Sequence, residues 1–100
     1  ENISSVEVEN TIYKHPEVME VAVVSTPHEK WGEVPKAFVT AKPGSAVTAE
    51  DIIAFCKEHL ARFKAPKVVE FCDLPKTATG KIQKFKLREK EWKGRDRKVA

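Results

Sequence analysis

The segment from Val18 to Ser25 constrains the fold of this chain more than any other feature. Most of its residues are β-branched or otherwise apolar, and Glu20 is its only charged residue. A short run of this kind predicts a β-strand that is buried on most of both faces. A strand buried on both sides needs partner strands beside it and helices packed against the sheet.

Two later segments are candidate partner strands. Val34 to Ala41 and Val68 to Cys72 are also rich in β-branched and aromatic residues, which favour strands. Residues 26–33, between the first two strands, contain a proline, a glycine and several charges. We therefore expect these residues to form a loop that is too long for a tight hairpin.

Capping signals predict two helices. Ser4 with Glu7, and Thr48 with Asp51, have the spacing of a capping box. The first signal predicts a helix from about Ser5 to Lys14. The second predicts a helix with an apolar stripe that faces the sheet, formed by Ile52, Ile53, Cys56, Leu60 and Phe63.

These elements describe a small α+β fold, a three-stranded sheet covered by helices. The segment from Lys84 to Trp92 is rich in helix formers and should add a short amphipathic helix. We place the ordered domain at residues 1–93 and expect residues 94–100 to form a basic, disordered tail, because they lack apolar partners. One hundred residues with 41% hydrophobic content suffice for one modest core, but not for a deep pocket around a large substrate.

The composition disfavours several classes of protein. The longest apolar run, Val21 to Val24, is far too short to cross a bilayer, and the N-terminus has no signal-peptide pattern. We therefore expect a soluble, intracellular protein. Cys56 and Cys72 form no CxxC pair and lie in apolar patterns, which favours free thiols in a reducing compartment. The histidines lack the spacing of metal ligands, so we predict no metal site.

The positive charge of the chain is concentrated near its C-terminus. Residues 81–100 contain nine Lys or Arg against three acids, a net charge of +6, whereas residues 1–80 carry nine against twelve, a net charge of −3. A basic segment of this kind can bind nucleic acid. We favour a solvated helix, because Phe85 and Trp92 are spaced to pack back on the domain. The acidic residues are interpreted as helix caps and solvated faces.

The segment from Pro75 to Lys84, PKTATGKIQK, is the strongest candidate for chemistry. Its proline, threonines and glycine favour a tight loop, which presents the ammonium of Lys81 to an anionic oxygen such as a phosphate. It is not a P-loop, because Pro75 stands where that motif has its first glycine and Ile82 where it has a hydroxyl. On spacing alone, an ordinary solvated lysine is the simpler interpretation of Lys81.

Two aromatic positions beside cations have two interpretations each. Trp31, next to Lys30, either caps the edge of the core or offers an exposed stacking surface. Phe63 and Lys64 either end a helix, with cations that complement its dipole, or form an aromatic and cationic site for a phosphorylated nucleotide.

Four motifs occur in a specific order along the chain: ENIS at residues 1–4, HEKWGE at 28–33, FKAPK at 63–67 and LPKTATGKI at 74–82. Together they resemble the C-terminal domain of the AMP-forming acyl-CoA synthetases, members of the adenylate-forming superfamily. The resemblance extends from residue 1 to about residue 92. It implies a large N-terminal adenylate-binding domain that this chain lacks, so we expect the chain to be a piece of a longer enzyme.

The resemblance implies that the chain is the mobile lid of an acyl-CoA ligase and is inactive as an isolated fragment. Such enzymes join a carboxylic acid to ATP, forming an acyl-adenylate and pyrophosphate, and then transfer the acyl group to CoA. By resemblance, Lys81 is the catalytic lysine of the first half-reaction, and Thr79 and Gly80 belong to the nucleotide loop. ATP with its Mg²⁺ would be held mainly by the N-terminal domain.

For the second half-reaction, the family's lid turns and offers another face. By resemblance, residues of this chain near the CoA pantetheine or nucleotide are Glu1, Asn2, Ile3, Ser4, Trp31, Phe63 and Lys64. The implied partners are the N-terminal domain, the acid, ATP and CoA, in the cytoplasm or in an organelle such as the peroxisome, although the ending of the chain is not a peroxisomal address. The alternative is a basic α+β module that binds nucleic acid or an anionic partner through residues 81–98.

Overall fold

A three-stranded sheet lies at the centre of the computed structural model, which describes residues 4–99 and the side chains of residues 4–93. The elements in chain order are α1 (Ser5–Tyr13), β1 (Val18–His28), β2 (Gly32–Ala41), α2 (Ala49–His59), a 3₁₀ turn (Arg62–Lys64), β3 (Val68–Phe71) and α3 (Lys84–Val99). The central strand β2 pairs antiparallel with β1 and parallel with β3. The predicted α+β class and order of elements are confirmed.

Helices cover both faces of the sheet, as the apolar composition of β1 predicts. On one face, alternate residues of β1 and β2 pack with α1 and α2 in a cluster that includes Val8, Ile12, Val21, Val23, Ala37, Val39, Ile52 and Cys56. The residues between them on the two strands face α3 and form a second cluster of Ala22, Val24, Phe38, Leu74 and Leu87. Burial of each large aliphatic or aromatic side chain contributes roughly 1.5–3 kcal/mol, so these clusters supply most of the stabilisation.

The expectation of a long loop over residues 26–33 is wrong. The two strands stay paired as far as His28 and Gly32, which leaves a three-residue turn. His28 Nδ1 accepts hydrogen bonds from the backbone N–H groups of Lys30 and Trp31 at 3.1 and 3.2 Å. Gly32 closes the turn with a φ of +81°, a conformation that favours glycine. The charged residues of this segment therefore form the tip of a hairpin.

The predicted apolar stripe of α2 is right at its centre and wrong at its end. Ile52 and Cys56 are fully buried, but the helix ends at His59, where Leu60 adopts an extended backbone. Phe63 consequently lies in the separate 3₁₀ turn, with 45% of its surface exposed. The capping box of Thr48 and Asp51 is confirmed, with both reciprocal hydrogen bonds formed.

The C-terminal helix is longer and packs differently than predicted. Its backbone continues to Val99, six residues past Lys93, because helix propagation from an existing helix is favourable for good helix formers. Phe85 does not pack on the domain and is 55% exposed, whereas Leu87 is buried. Trp92 does pack back, and its indole Nε1 donates to the backbone oxygen of Ser25 at 3.0 Å. The domain boundary at Lys93 stays a prediction.

A buried ion cluster fastens α3 to the sheet. Lys36 Nζ lies 2.9 Å from carboxylate oxygens of both Glu70 and Glu91, and its side chain is only 10% exposed. Glu91 also accepts a hydrogen bond of 2.7 Å from the hydroxyl of Thr26. The cluster therefore joins all three strands to the helix. Glu91, whose side chain is only 14% exposed, is not the solvated residue that the sequence suggested.

Candidate functional site

The segment from Pro75 to Gln83 forms a small hydrogen-bonded hairpin on the surface. The N–H of Thr77 donates to the carbonyl oxygen of Lys81 at 2.8 Å. The N–H of Gln83 donates to the carbonyl oxygen of Pro75, also at 2.8 Å. Gly80 turns the chain with a φ of +88°. The Thr77 hydroxyl accepts from the N–H of Lys81 at 3.1 Å and lies 3.0 Å from the Thr79 hydroxyl. The predicted tight loop is confirmed, and its backbone is fixed rather than free.

The ammonium of Lys81 projects from this loop without a partner in the described part of the chain. Its side chain is exposed, and among residues 4–93 no carboxylate lies within the 4.0 Å that defines an ion pair. The neighbouring lysines differ, because Lys76 pairs with Glu20 at 2.8 Å and Lys84 pairs with Glu9 at 2.7 Å. The loop thus presents one lysine without an ion-pair partner among residues 4–93, between two lysines that form ion pairs. This arrangement suits the binding of an external anionic oxygen.

Sequence reasoning missed the acids that hold this loop. Glu9 lies in α1 and Glu20 in β1, and their side chains are 16% and 24% exposed. Their interpretation as solvated residues is wrong. Each lies more than fifty positions from its lysine, so no local pattern could have identified the pairs. The only signal in the sequence was the presence of other lysines near Lys81, at positions 76 and 84.

A second group of predicted site residues meets near the start of α1. Ser4 is the N-cap, and its hydroxyl accepts from the N–H of Glu7 at 3.3 Å. The Glu7 carboxylate does not complete a capping box; its Oε1 pairs with Lys64 Nζ at 3.0 Å. Phe63 stands beside Lys64, with the ammonium 5.9 Å from the ring centroid. Glu1, Asn2 and Ile3 lie outside the described residues.

Trp31 occupies the tip of the β1–β2 hairpin. Its side chain is 59% exposed, and the ammonium of Lys30 lies 4.9 Å from the ring centroid. Of the two interpretations, the structure therefore agrees with an exposed aromatic surface and not with a cap over the core.

The other reactive side chains of the described region have no arrangement for chemistry. Burial raises the pKa of the free Cys56 thiol to about 11, and burial also raises the pKa of Cys72. Thiols with raised pKa values are poor nucleophiles near neutral pH. Among the described side chains, those of residues 4–93, no group of three or more His, Cys, Asp or Glu could hold a metal ion. No helix within residues 4–99 is long and apolar enough to span a membrane.

Comparison with known proteins identifies the family. The family model of the AMP-binding enzyme C-terminal domain matches residues 7–81. The acetate–CoA ligase CCL3 of Humulus lupulus is 60% identical over 95 residues, which cover 90% of this chain and 17% of that ligase. The peroxisomal trans-cinnamate:CoA ligase of Petunia hybrida is 54% identical over 90 residues, covering 89% of this chain and 16% of the ligase.

A solved structure shows the same fold. ATP-bound MatB from Rhodopseudomonas palustris matches with a TM-score of 0.85 and 36% identity, over 90% of this chain and 18% of MatB. The chain therefore spans less than a fifth of the length of these relatives. Nothing in the comparisons supports the nucleic-acid alternative. The chain belongs to the family of AMP-binding enzyme C-terminal domains, the C-terminal domain of the AMP-forming acyl-CoA synthetases.

Proposed function

We propose that the full-length protein is an AMP-forming acyl-CoA ligase in which this chain is the mobile lid. The observation that carries the proposal is the state of the three lysines around the loop. Lys76 and Lys84 are paired with carboxylates, whereas the ammonium of Lys81 is exposed and has no carboxylate partner among residues 4–93. A cation held ready in this way serves a ligand that arrives from outside the domain.

In the first half-reaction, a carboxylate oxygen of the acid attacks the α-phosphorus of ATP, and the bond to the bridging oxygen of pyrophosphate breaks. Negative charge builds on the α-phosphoryl and bridging oxygens. Lys81 reaches these oxygens when the lid closes, and its ammonium stabilises the charge more than water would in the dehydrated cleft. Thr79 and Gly80 set the direction of the lysine through the turn that precedes it.

In the second half-reaction, the thiol of CoA attacks the acyl carbonyl carbon, and AMP leaves. We assign the surface around Ser4, Phe63 and Lys64, together with Glu1, Asn2 and Ile3, to CoA. Trp31 offers an exposed aromatic face for a planar or apolar part of that ligand. Because the ammonium of Lys64 is already paired with Glu7, this ion pair must break before Lys64 can bind a phosphate of CoA.

The remaining substrate contacts belong to an N-terminal adenylate-binding domain. We propose that this domain holds ATP, the acid and the Mg²⁺ that accompanies ATP, and that residues 1–93 act as the lid with residues 94–100 as a basic tail. The relatives named above include a peroxisomal enzyme, and the proposed compartment is the cytoplasm or the peroxisome.

The direct test replaces Lys81 with alanine in the full-length enzyme. The rate of adenylate formation, measured as the release of pyrophosphate, should fall by about a hundredfold, because one charge-stabilising contact of the transition state is lost. Thioester formation from a supplied acyl-adenylate should be largely retained. Lys86→Ala removes an exposed lysine of α3 and serves as the control that should change neither step. An equal loss in both half-reactions would contradict the assigned role of Lys81.

A further inference from the structure

We infer that Glu9 of α1 is a positioning residue for Lys81 and acts through Lys84; this inference rests on the proposed role of Lys81 in adenylate formation. Glu9 has no expected contact with substrate. Its carboxylate instead fixes the end of the loop from which Lys81 projects.

The contacts of Glu9 join three parts of the fold at one oxygen. Glu9 Oε2 accepts a hydrogen bond of 2.7 Å from the backbone N–H of Val23, and the same oxygen lies 2.7 Å from Lys84 Nζ. Lys84 also donates to the hydroxyl of Ser5 at 3.2 Å. Because β1 is an edge strand, the N–H of Val23 has no strand partner on that side, and Glu9 satisfies it. The carboxylate is therefore bound to the rigid sheet and to the loop at once.

The path from Glu9 to Lys81 is short. Lys84 is the first residue of α3 and follows Lys81 by three positions. Gln83, next to Lys84, closes the hairpin by its hydrogen bond to Pro75. A shift of Lys84 would therefore move the base of the hairpin, and a displacement of about 1 Å at a reacting group can cost on the order of a hundredfold in rate.

The second anchor of the loop is weaker. Lys76 and Glu20 are 37% and 24% exposed, compared with 30% and 16% for Lys84 and Glu9. Among the described residues, no backbone N–H donates to the Glu20 carboxylate, whereas the N–H of Val23 donates to that of Glu9. Since charged hydrogen bonds strengthen with burial and with shared partners, the Glu9 side holds the loop more firmly.

The test is a double-mutant cycle in the full-length enzyme that combines Glu9→Gln with Lys81→Ala. Glutamine keeps an oxygen for the N–H of Val23 and removes only the charge that holds Lys84. In the enzyme with Lys81, Glu9→Gln should slow adenylate formation roughly tenfold and leave thioester formation unchanged. In the Lys81→Ala enzyme, the same substitution should have an effect of less than about twofold, because no lysine is left to misplace.

Variants of Lys84 separate positioning from a loss of folding. Lys84→Arg preserves the ion pair and should retain adenylate formation, whereas Lys84→Met keeps the apolar stem and should reproduce the defect of Glu9→Gln. Glu58→Gln removes an exposed charge from α2 and is the matched control. Equal effects of Glu9→Gln in both backgrounds, or equal losses for Lys84→Arg and Lys84→Met, would overturn the inference. Full adenylate formation by Lys81→Ala would instead reject the proposed function itself.

Discussion

The exposed lysine Lys81 differs from its two neighbouring lysines in its ion pairing. Three lysines lie in the nine residues from Lys76 to Lys84, and the outer two form ion pairs with carboxylates. Gly80 supplies the backbone turn, with a φ of +88° that would strain any residue with a β-carbon. The loop thus combines a hydrogen-bonded backbone with the long, flexible side chain of Lys81, whose ammonium can reach a phosphate over a range of several ångströms.

Trp31→Ala should separate binding from stability at the residue scale. Because the indole is 59% exposed, its removal should change the free energy of unfolding by less than about 0.5 kcal/mol. The KM for CoA should rise more than the KM for ATP in the full-length enzyme. Steady-state kinetics with each substrate varied in turn measures both values.

The other tryptophan provides the opposite control. Trp92 donates its indole N–H to Ser25 in the packed region beneath α3. Trp92→Ala should lower the unfolding free energy while the KM for CoA stays near its original value. A CoA dependence that Trp31→Ala leaves unchanged would remove Trp31 from the CoA surface.

At the scale of elements, α3 depends on charge as well as on apolar contacts. Burial alone would lower the pKa of Lys36, but hydrogen bonds to Glu70 and Glu91 outweigh it and raise that pKa. Burial alone would raise the pKa of Glu91, and the hydrogen bonds from Lys36 and Thr26 instead lower it. Each group is thus held in its charged form at neutral pH, which favours the docked helix.

The lowered pKa of Glu91 predicts the acid sensitivity of the fold. A carboxyl whose pKa is lower in the folded state adds stability above its unfolded pKa of 4.5, and this stability is lost as the pH falls through the folded value. Glu91→Gln should therefore cost about 2 kcal/mol near pH 7 and much less near pH 3. Urea unfolding of the 100-residue chain at both pH values measures the difference.

Glu58→Gln, in an exposed part of α2, controls for the loss of one negative charge. Its effect on unfolding should be small at both pH values. If Glu91→Gln destabilised the chain equally near pH 7 and near pH 3, the ion cluster would not account for the docking of α3.

At the scale of the whole molecule, the described part of the chain carries its predicted sites on the surface and not in an enclosed pocket. Its two apolar clusters lie on opposite faces of one sheet, and those predicted functional residues that the structure describes lie on loops and turns at the surface. The start of α1 contacts both predicted sites, through Ser5 and Glu9 toward Lys84 and through Glu7 toward Lys64. Under the proposed function, such a lid would present either site to the proposed N-terminal domain while its own fold stays unchanged.

The isolated 100-residue chain should fold without catalysing either half-reaction. The two cores suffice for a cooperative unfolding transition in urea, which circular dichroism would follow. Pyrophosphate release with ATP and a carboxylic acid should stay at the buffer rate, since the other substrate contacts belong to the proposed N-terminal domain. Turnover by the isolated chain would contradict the proposed division of labour between the domains.

Local sequence determined much of this architecture. The β-branched run at β1, the capping box at Thr48 and the turn signal at Gly80 each act through backbone preferences of a few neighbouring residues, so they could be predicted. The four motifs were sufficient to predict the family and to single out Lys81. These features depend on residues close together in the chain.

Tertiary structure alone decided the rest. The hairpin extends to His28, and within this extension Thr26 is buried and donates to Glu91, a residue 65 positions away. The partners of Lys76 and Lys84 come from β1 and α1, and long-range ion pairs leave no periodic trace in a sequence. Sequence thus identified Lys81 as the proposed catalytic lysine, whereas the packing of α1, β1 and α3 decided that Lys76 and Lys84 are paired and that Lys81 has no carboxylate partner among residues 4–93.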